Sequence, residues 1–204
     1  MNRERSLLLA IATATLVWSR MQPHDRLTWW LEVAPVLLAG PLLFATGARF
    51  PLTPLAYRLI CVHALILMVG GHYTYERVPL GEWVRDAFDL GRNHYDRLGH
   101  FAQGFVPAIL VREVLLRKTP LRRGGWLFFL TSSVCLAISA SFEFVEWTAA
   151  TLLGQSADAY LATQGDVWDT HWDMLCALTG AIAAQFGLAR RHDRELHRRI
   201  GTTT

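Results

Sequence analysis

Apolar residues along this chain gather into six long runs separated by short charged segments. The runs are Leu7–Trp18, Trp29–Ala45, Leu55–Tyr73, Leu98–Leu116, Trp126–Trp147 and Val167–Leu188. A helix that crosses the hydrocarbon core needs about 20 mostly apolar residues at a rise of about 1.5 Å each. Buried helices of a soluble core would give shorter runs with a stronger polar face. The pattern therefore predicts an all-α, polytopic membrane helix bundle, one integral membrane domain over residues 1–204 with six spans. The first run is short, and basic Met1–Arg5 ahead of an apolar stretch with small Ala12 and Ala14 also reads as a signal peptide. As a span, it is flanked by Arg5 and Arg20, which can snorkel at either end. In the longest connection, Thr74–Asn93, Leu80, Trp83, Val84, Ala87 and Phe88 fall on one helical face. Glu82, Arg85, Asp86 and Asp89 fall on the other. That arrangement predicts a short helix lying on the outer membrane surface, between spans three and four.

Charge placement orients the bundle, because Lys and Arg concentrate on the cytoplasmic side. With the N-terminus inside, fourteen of the 20 basic residues fall in inner segments, from Arg3 and Arg5 through Arg117, Lys118, Arg122 and Arg123 to Arg198 and Arg199. The other six, Arg20, Arg26, Arg77, Arg85, Arg92 and Arg97, fall outside, and Ala149–Asp166 carries none. Both termini are thus expected in the cytoplasm. Seven of the eight tryptophans fall at outer ends, with Trp126 alone inside, as amphipathic rings at the headgroup layer would. Composition adds less: the chain is 52% hydrophobic and 18% charged, a modest departure from a soluble domain. The net charge of +3 suggests no nucleic-acid partner, since the basic tail Arg190–Arg199 has no groove-reading or stacking element and reads as an anionic-lipid contact. Three cysteines within spans suggest buried thiols and no disulfide.

Ionisable residues inside a membrane are expensive, so those near spans are candidates for function. Asp96 and His100 are four apart at the outer start of the fourth span, Glu143 and Glu146 three apart at the outer end of the fifth, and Asp169 and Asp173 four apart at the outer start of the sixth. Such spacings put each pair on one helix face. Glu143 lies about 25 Å above Trp126 on the helical rise, and all six residues fall within about 10 Å of one outer layer. Five carboxylates and one imidazole sharing a layer call for a cation, shared protons or water. Oxygen donors with a histidine suit Mg²⁺, Mn²⁺ or Zn²⁺, with His100, Glu143, Glu146, Asp169 and Asp173 as candidate ligands. Close carboxylates can instead share protons, or the pairs can face headgroups and cap helices. Asp166 fits a capping role at the sixth helix. His63, near the middle of the third span, suits an interhelical hydrogen bond, Gln103 could reach the cavity, Gly104 permits close helix packing and Pro107 a kink. Glu32 can either join the layer or snorkel. Common soluble-enzyme signatures, among them HExxH, GxSxG and CxxC, are absent.

The segments Arg92–Phe101, Glu143–Trp147 and Gln164–Thr170 running on through Asp173-Met174 resemble the YjdF-like family of bacterial inner-membrane proteins. The resemblance covers the third span through the sixth. It implies a multi-pass location in the bacterial inner membrane and supplies no reaction. A fainter similarity is to VanZ-like membrane proteins, whose acidic, His-Phe and Asp spacing is echoed by Asp96…His100-Phe101, Glu143…Glu146 and Asp169…Asp173. Glu146 and Asp173 stand where amides would be expected there, and Cys176 where a glycine would, so it remains a fold-level analogy. Three functions fit the residues: a metal-dependent enzyme or binding site for a lipid or lipid-linked headgroup, a cation- or proton-coupled transporter, or a scaffold without catalysis. Convergence of the six outer residues would favour the first.

Overall fold

The computed structural model describes residues 3–153 and 158–200. It is all-helical, with no strand among the described residues. The elements are α1 (Arg3–Arg20), α2 (Arg26–Thr46), α3 (Pro54–Tyr73), a 3-10 turn (Tyr75–Arg77), α4 (Pro79–Ala87), α5 (Tyr95–Lys118), α6 (Gly125–Leu153), α7 (Asp158–Leu161) and α8 (Asp169–Ile200). Four of them, α2, α3, α6 and α8, are long and apolar enough to cross a membrane. Each of the six long helices contains one of the apolar runs nearly whole, and the connection after α3 holds a helix at α4, as its two-faced pattern predicts. Local chemistry sets the starts: Asp25 caps α2 by accepting the Thr28 amide at 2.7 Å, and Thr53 caps α3 ahead of Pro54.

The long helices alternate in direction, so α5 and α8 run parallel, separated in sequence by α6. Their contact is the most extensive in the fold, and glycine makes it possible. A Cβ on Gly104 would stand 1.7 Å from the Ala177 carbonyl oxygen, and one on Gly180 would stand 2.1 Å from that of Phe101. Two glycines facing the partner backbone let the helices touch without side chains between them. The close packing expected of Gly104 is what the structure shows.

Both ends of this pair are clamped. At the C-terminal end of both helices the fully buried Glu113 carboxylate accepts the Thr53 hydroxyl at 2.8 Å, the Thr53 amide at 3.1 Å and an Arg117 guanidinium N–H at 2.7 Å. His192 of α8 stands 3.2 Å away through Nε2. Glu195 of α8 accepts the Leu55 amide at 2.7 Å, and Arg112 donates to Asp193 at 2.7 Å. At the N-terminal end the fully buried Asn93 side chain donates to the Glu76 and Val78 carbonyls at 2.9 and 3.1 Å, and its backbone exchanges two bonds with the Gln164 amide. Gly81 of α4 lies directly against it, since a Cβ there would meet Asn93 Oδ1 at 1.8 Å. The Tyr75 ring fills the slot between Gly70 of α3 and Gly99 of α5. α1 lies along α3, with Glu4 accepting from Arg58 at 2.5 Å and His72 Nδ1 3.1 Å from the Ser19 carbonyl.

Candidate functional site

Because α5 and α8 cross closely near their N-terminal ends, the first turns of both present acidic residues to one space. Asp96 and His100 lie one turn apart on α5, and Asp173 enters from α8. One ligand atom from each of these three lies within 4.8 Å of the others. His100 Nε2 is 3.5 Å from Asp96 Oδ1 and 4.0 Å from Asp173 Oδ2. The other ring nitrogen, Nδ1, stands 3.1 Å from Gln103 Oε1 and 3.7 Å from Glu143 Oε1 of α6. Gln103 thus reaches the cavity, where it can orient the imidazole from one turn away. All four acidic and imidazole groups are buried, and both Glu143 oxygens and Asp173 Oδ1 have no hydrogen-bond partner. A buried anionic oxygen without a donor costs several kcal/mol, so these atoms are the site's unmet demand for a cation or a proton.

A layer of ion pairs covers this cluster on the side of the helix N-termini. Arg92 donates to Asp169 in a very short contact, to the Ala162 carbonyl at 3.1 Å, and lies 3.9 Å from Asp96. Arg97 donates to Asp166 at 2.6 Å and stacks its guanidinium 5.4 Å above the Trp172 ring. Asp166 accepts the Trp168 amide at 2.9 Å through its other oxygen, so it caps the turn entering α8 and ties Arg97 at once. That amide first, with the Arg97 and Arg92 charges behind it, holds the Asp166 carboxyl below the ordinary carboxylate range. Asp169 therefore sits with the arginines, while Asp173, one turn deeper, faces His100.

The remaining candidates fall on the side away from α8. Glu32 of α2 is buried and turned inward, reached by the Tyr75 phenol. It joins the layer and does not snorkel. Glu146 borders the same space from α6, within electrostatic range of His100 and Glu143, without a direct bond to either. Tyr160 of α7 packs on Leu31 and Ala149, and its buried hydroxyl has no partner. His63 departs from expectation: its buried Nε2 makes no hydrogen bond.

Sequence spacing found the acidic pairs and missed the groups that complete them. Arg92, Tyr75 and Tyr160 lie in the connections, where nothing local marks them as facing inward. Seven carboxylates, those of Glu32, Asp96, Glu143, Glu146, Asp166, Asp169 and Asp173, share this outer layer with the two guanidiniums of Arg92 and Arg97 and the ring of His100. The arrangement can concentrate a cation, hold shared protons, and polarise an oxygen brought to that cation.

Comparison with known proteins is consistent with a membrane location. The family model described as "Predicted membrane protein (DUF2238)" matches residues 5–194. A relative in Escherichia coli (strain K12), inner membrane protein YjdF, is 52% identical over 192 residues, which is 94% of this chain and 91% of the relative. No solved structure matches. The fainter VanZ-like likeness is not among these findings.

Proposed function

The chain belongs to the DUF2238 family of predicted membrane proteins and resides in a bacterial inner membrane, and from that premise we propose that its outer acidic cluster is a divalent-cation site serving a lipid or lipid-linked headgroup. The observation that carries the reading is the convergence of Asp96, His100 and Asp173 within 4.8 Å beside the unpartnered Glu143 oxygens. An ion about 2.0–2.2 Å from each ligand spaces neighbouring ligand atoms by roughly 3–4 Å, so slight side-chain rotation suffices to close the site. One imidazole among carboxylates suits Zn²⁺ or Mn²⁺ better than Mg²⁺, which prefers oxygen alone. His100 would hold the ion through Nε2, with its other nitrogen oriented by Gln103, and Glu143 would complete the ligand set.

The topology belongs to the same proposal. α1 and α5 join the four apolar helices as spans, the termini lie in the cytoplasm, and the cluster faces the periplasm. α5 carries its charges to its partners inside the bundle, which is why composition alone does not mark it as a span. α4 lies on the outer surface with Leu80, Trp83 and Phe88 turned outward, each more than half exposed. A reporter that is active only in the periplasm, fused after residue 204, should be inactive, and fused near Gly91 it should be active. The reverse pattern would overturn the orientation.

Thermal unfolding in detergent, with and without millimolar Zn²⁺, Mn²⁺ or Mg²⁺, tests the metal. An ion that binds only the folded state stabilises it by about 2.7 kcal/mol at a hundredfold excess over its dissociation constant. That gain should disappear in Asp173→Asn and in His100→Ala. If none of the three ions shifts the native protein, the cation site is refuted.

A further inference from the structure

We infer that the half of the cavity bounded by Glu32, Glu143, Glu146 and Tyr160 is a subsite for an organic ammonium, the amine of a lipid headgroup, which rests on the headgroup reading above. Tyr160 enters between α2 and α6, packed on Leu31 and Ala149. The residue is 2% exposed and its hydroxyl has no partner, and its contacts set it beside Leu31, the chain neighbour of Glu32, and beside Ala149, one turn from Glu146. Both Glu143 oxygens are likewise buried and unpartnered, so one is left over when the other ligates the ion. Among the described residues no lysine or arginine pairs with Glu32, Glu143 or Glu146, since Arg92 and Arg97 are spent on Asp96, Asp166 and Asp169.

The chemistry of this half differs from that of the His100 half. It offers carboxylate oxygens from two helices and a phenol from a third, with no ring nitrogen. A neutral phenol is a poor ligand for Zn²⁺ or Mn²⁺, but its oxygen accepts hydrogen bonds and its face attracts cations. An ammonium carries three donors and no acceptor, which complements a pocket whose unmet atoms are acceptors. Charge points the same way. With His100 neutral as a metal ligand, one divalent ion and the two guanidiniums supply four positive charges against the seven carboxylates, and a further positive charge reduces the remaining excess. Trp147, Trp168 and Trp172, each more than two-fifths exposed, adjoin Glu146, Asp169 and Asp173 in sequence, as interfacial rings at a headgroup layer would.

The test uses the full-length protein in detergent with short-chain phosphatidylethanolamine, its N-acetylated derivative and phosphatidylglycerol, each added with and without Zn²⁺. Binding is followed by native mass spectrometry and by melting temperature. Phosphatidylethanolamine should bind and raise the melting temperature, and the other two should do neither. Glu32→Gln and Tyr160→Phe should each weaken that binding at least tenfold while leaving the shift caused by Zn²⁺ alone intact. Tyr160→Phe removes one oxygen without changing the fold, so it remains decisive if Glu32→Gln fails to accumulate. Ethanolamine reproducing the effect with the same variant dependence would support the ammonium subsite and make its source a soluble amine. Equal binding of the N-acetylated lipid or of phosphatidylglycerol would overturn the inference, as would native-like binding by Tyr160→Phe. A Zn²⁺ effect without any amine effect would sink the subsite alone, and the converse would sink the metal alone.

Discussion

Replacing Gly104 by alanine should damage the site without touching any of its ligands. The added Cβ would stand 1.7 Å from the Ala177 carbonyl oxygen, whereas ordinary contact begins near 3.4 Å. The obstacle is backbone on a facing helix, so no side chain can swing away, and α5 and α8 must part by something approaching 1.7 Å. Overpacking of this kind costs about 1–3 kcal/mol. Gly104 lies one turn below His100, and Ala177 one turn below Asp173, so the separation carries directly to the 4.0 Å between His100 Nε2 and Asp173 Oδ2. Opened beyond about 5 Å, these atoms no longer share an ion held about 2.1 Å from each. Melting in detergent with and without Zn²⁺ reads both effects, and Gly187→Ala supplies the control, for a Cβ there meets nothing within 4 Å. The control should match or slightly exceed the native protein, since alanine favours helix over glycine by about 1 kcal/mol. A Gly104→Ala protein that melts with the control and keeps its full metal shift would refute the claim that the crossing builds the site.

At the opposite end, Glu113→Ala should cost about 3–5 kcal/mol, because it leaves Arg117, His192 and the Thr53 donors without their common buried partner. Its melting temperature should fall while the remaining folded protein still responds to Zn²⁺. A loss of metal response at temperatures where it stays folded would contradict a purely structural clasp. Asp166 gives a pH signature: its folded-state pKa lies below the unfolded value near 3.9, so its contribution is fully present above that value and lost as pH falls through the folded one. Asp166→Asn should therefore flatten the acid side of the stability profile, and an unchanged profile below about pH 4 would argue against the Trp168, Arg97 and Arg92 contacts.

Much of this architecture can be read from the sequence because a membrane imposes a length on every apolar run. The pairs Asp96/His100 and Asp169/Asp173 are legible for a local reason, since helical periodicity fixes which face each occupies. Their assignment between two layers is not local. Asp169 and Asp173 share a face, yet the first meets Arg92 and the second His100, and only the parallel crossing of α5 on α8 decides that. Tyr160 and Asn93 were illegible because their partners lie on other elements and no periodic signal leads to them. Glu113 is a different kind of omission. It lies inside the fourth apolar run, where the rule that drew attention to Glu143 applies equally, but it has no acidic or histidine neighbour three or four residues away to form a pair.

The parallel pairing of α5 and α8 also dictates how the protein is made. α5 leaves the ribosome about fifty residues ahead of α8, carrying Asp96, Arg97, Arg112 and Glu113, each of which costs up to about 2.5–3.5 kcal/mol if presented to lipid during insertion. The groups that neutralise or enclose them, Asp173, His192 and Asp193, arrive only with the last helix. Until then α5 packs mainly on α3 and α6, with its Thr53, Arg117, Arg92 and Glu143 contacts, and the acidic cluster lacks the wall that α8 supplies. Translation must therefore pass through α8 before the site exists, and a chain truncated ahead of Asp169 is a candidate for membrane quality control.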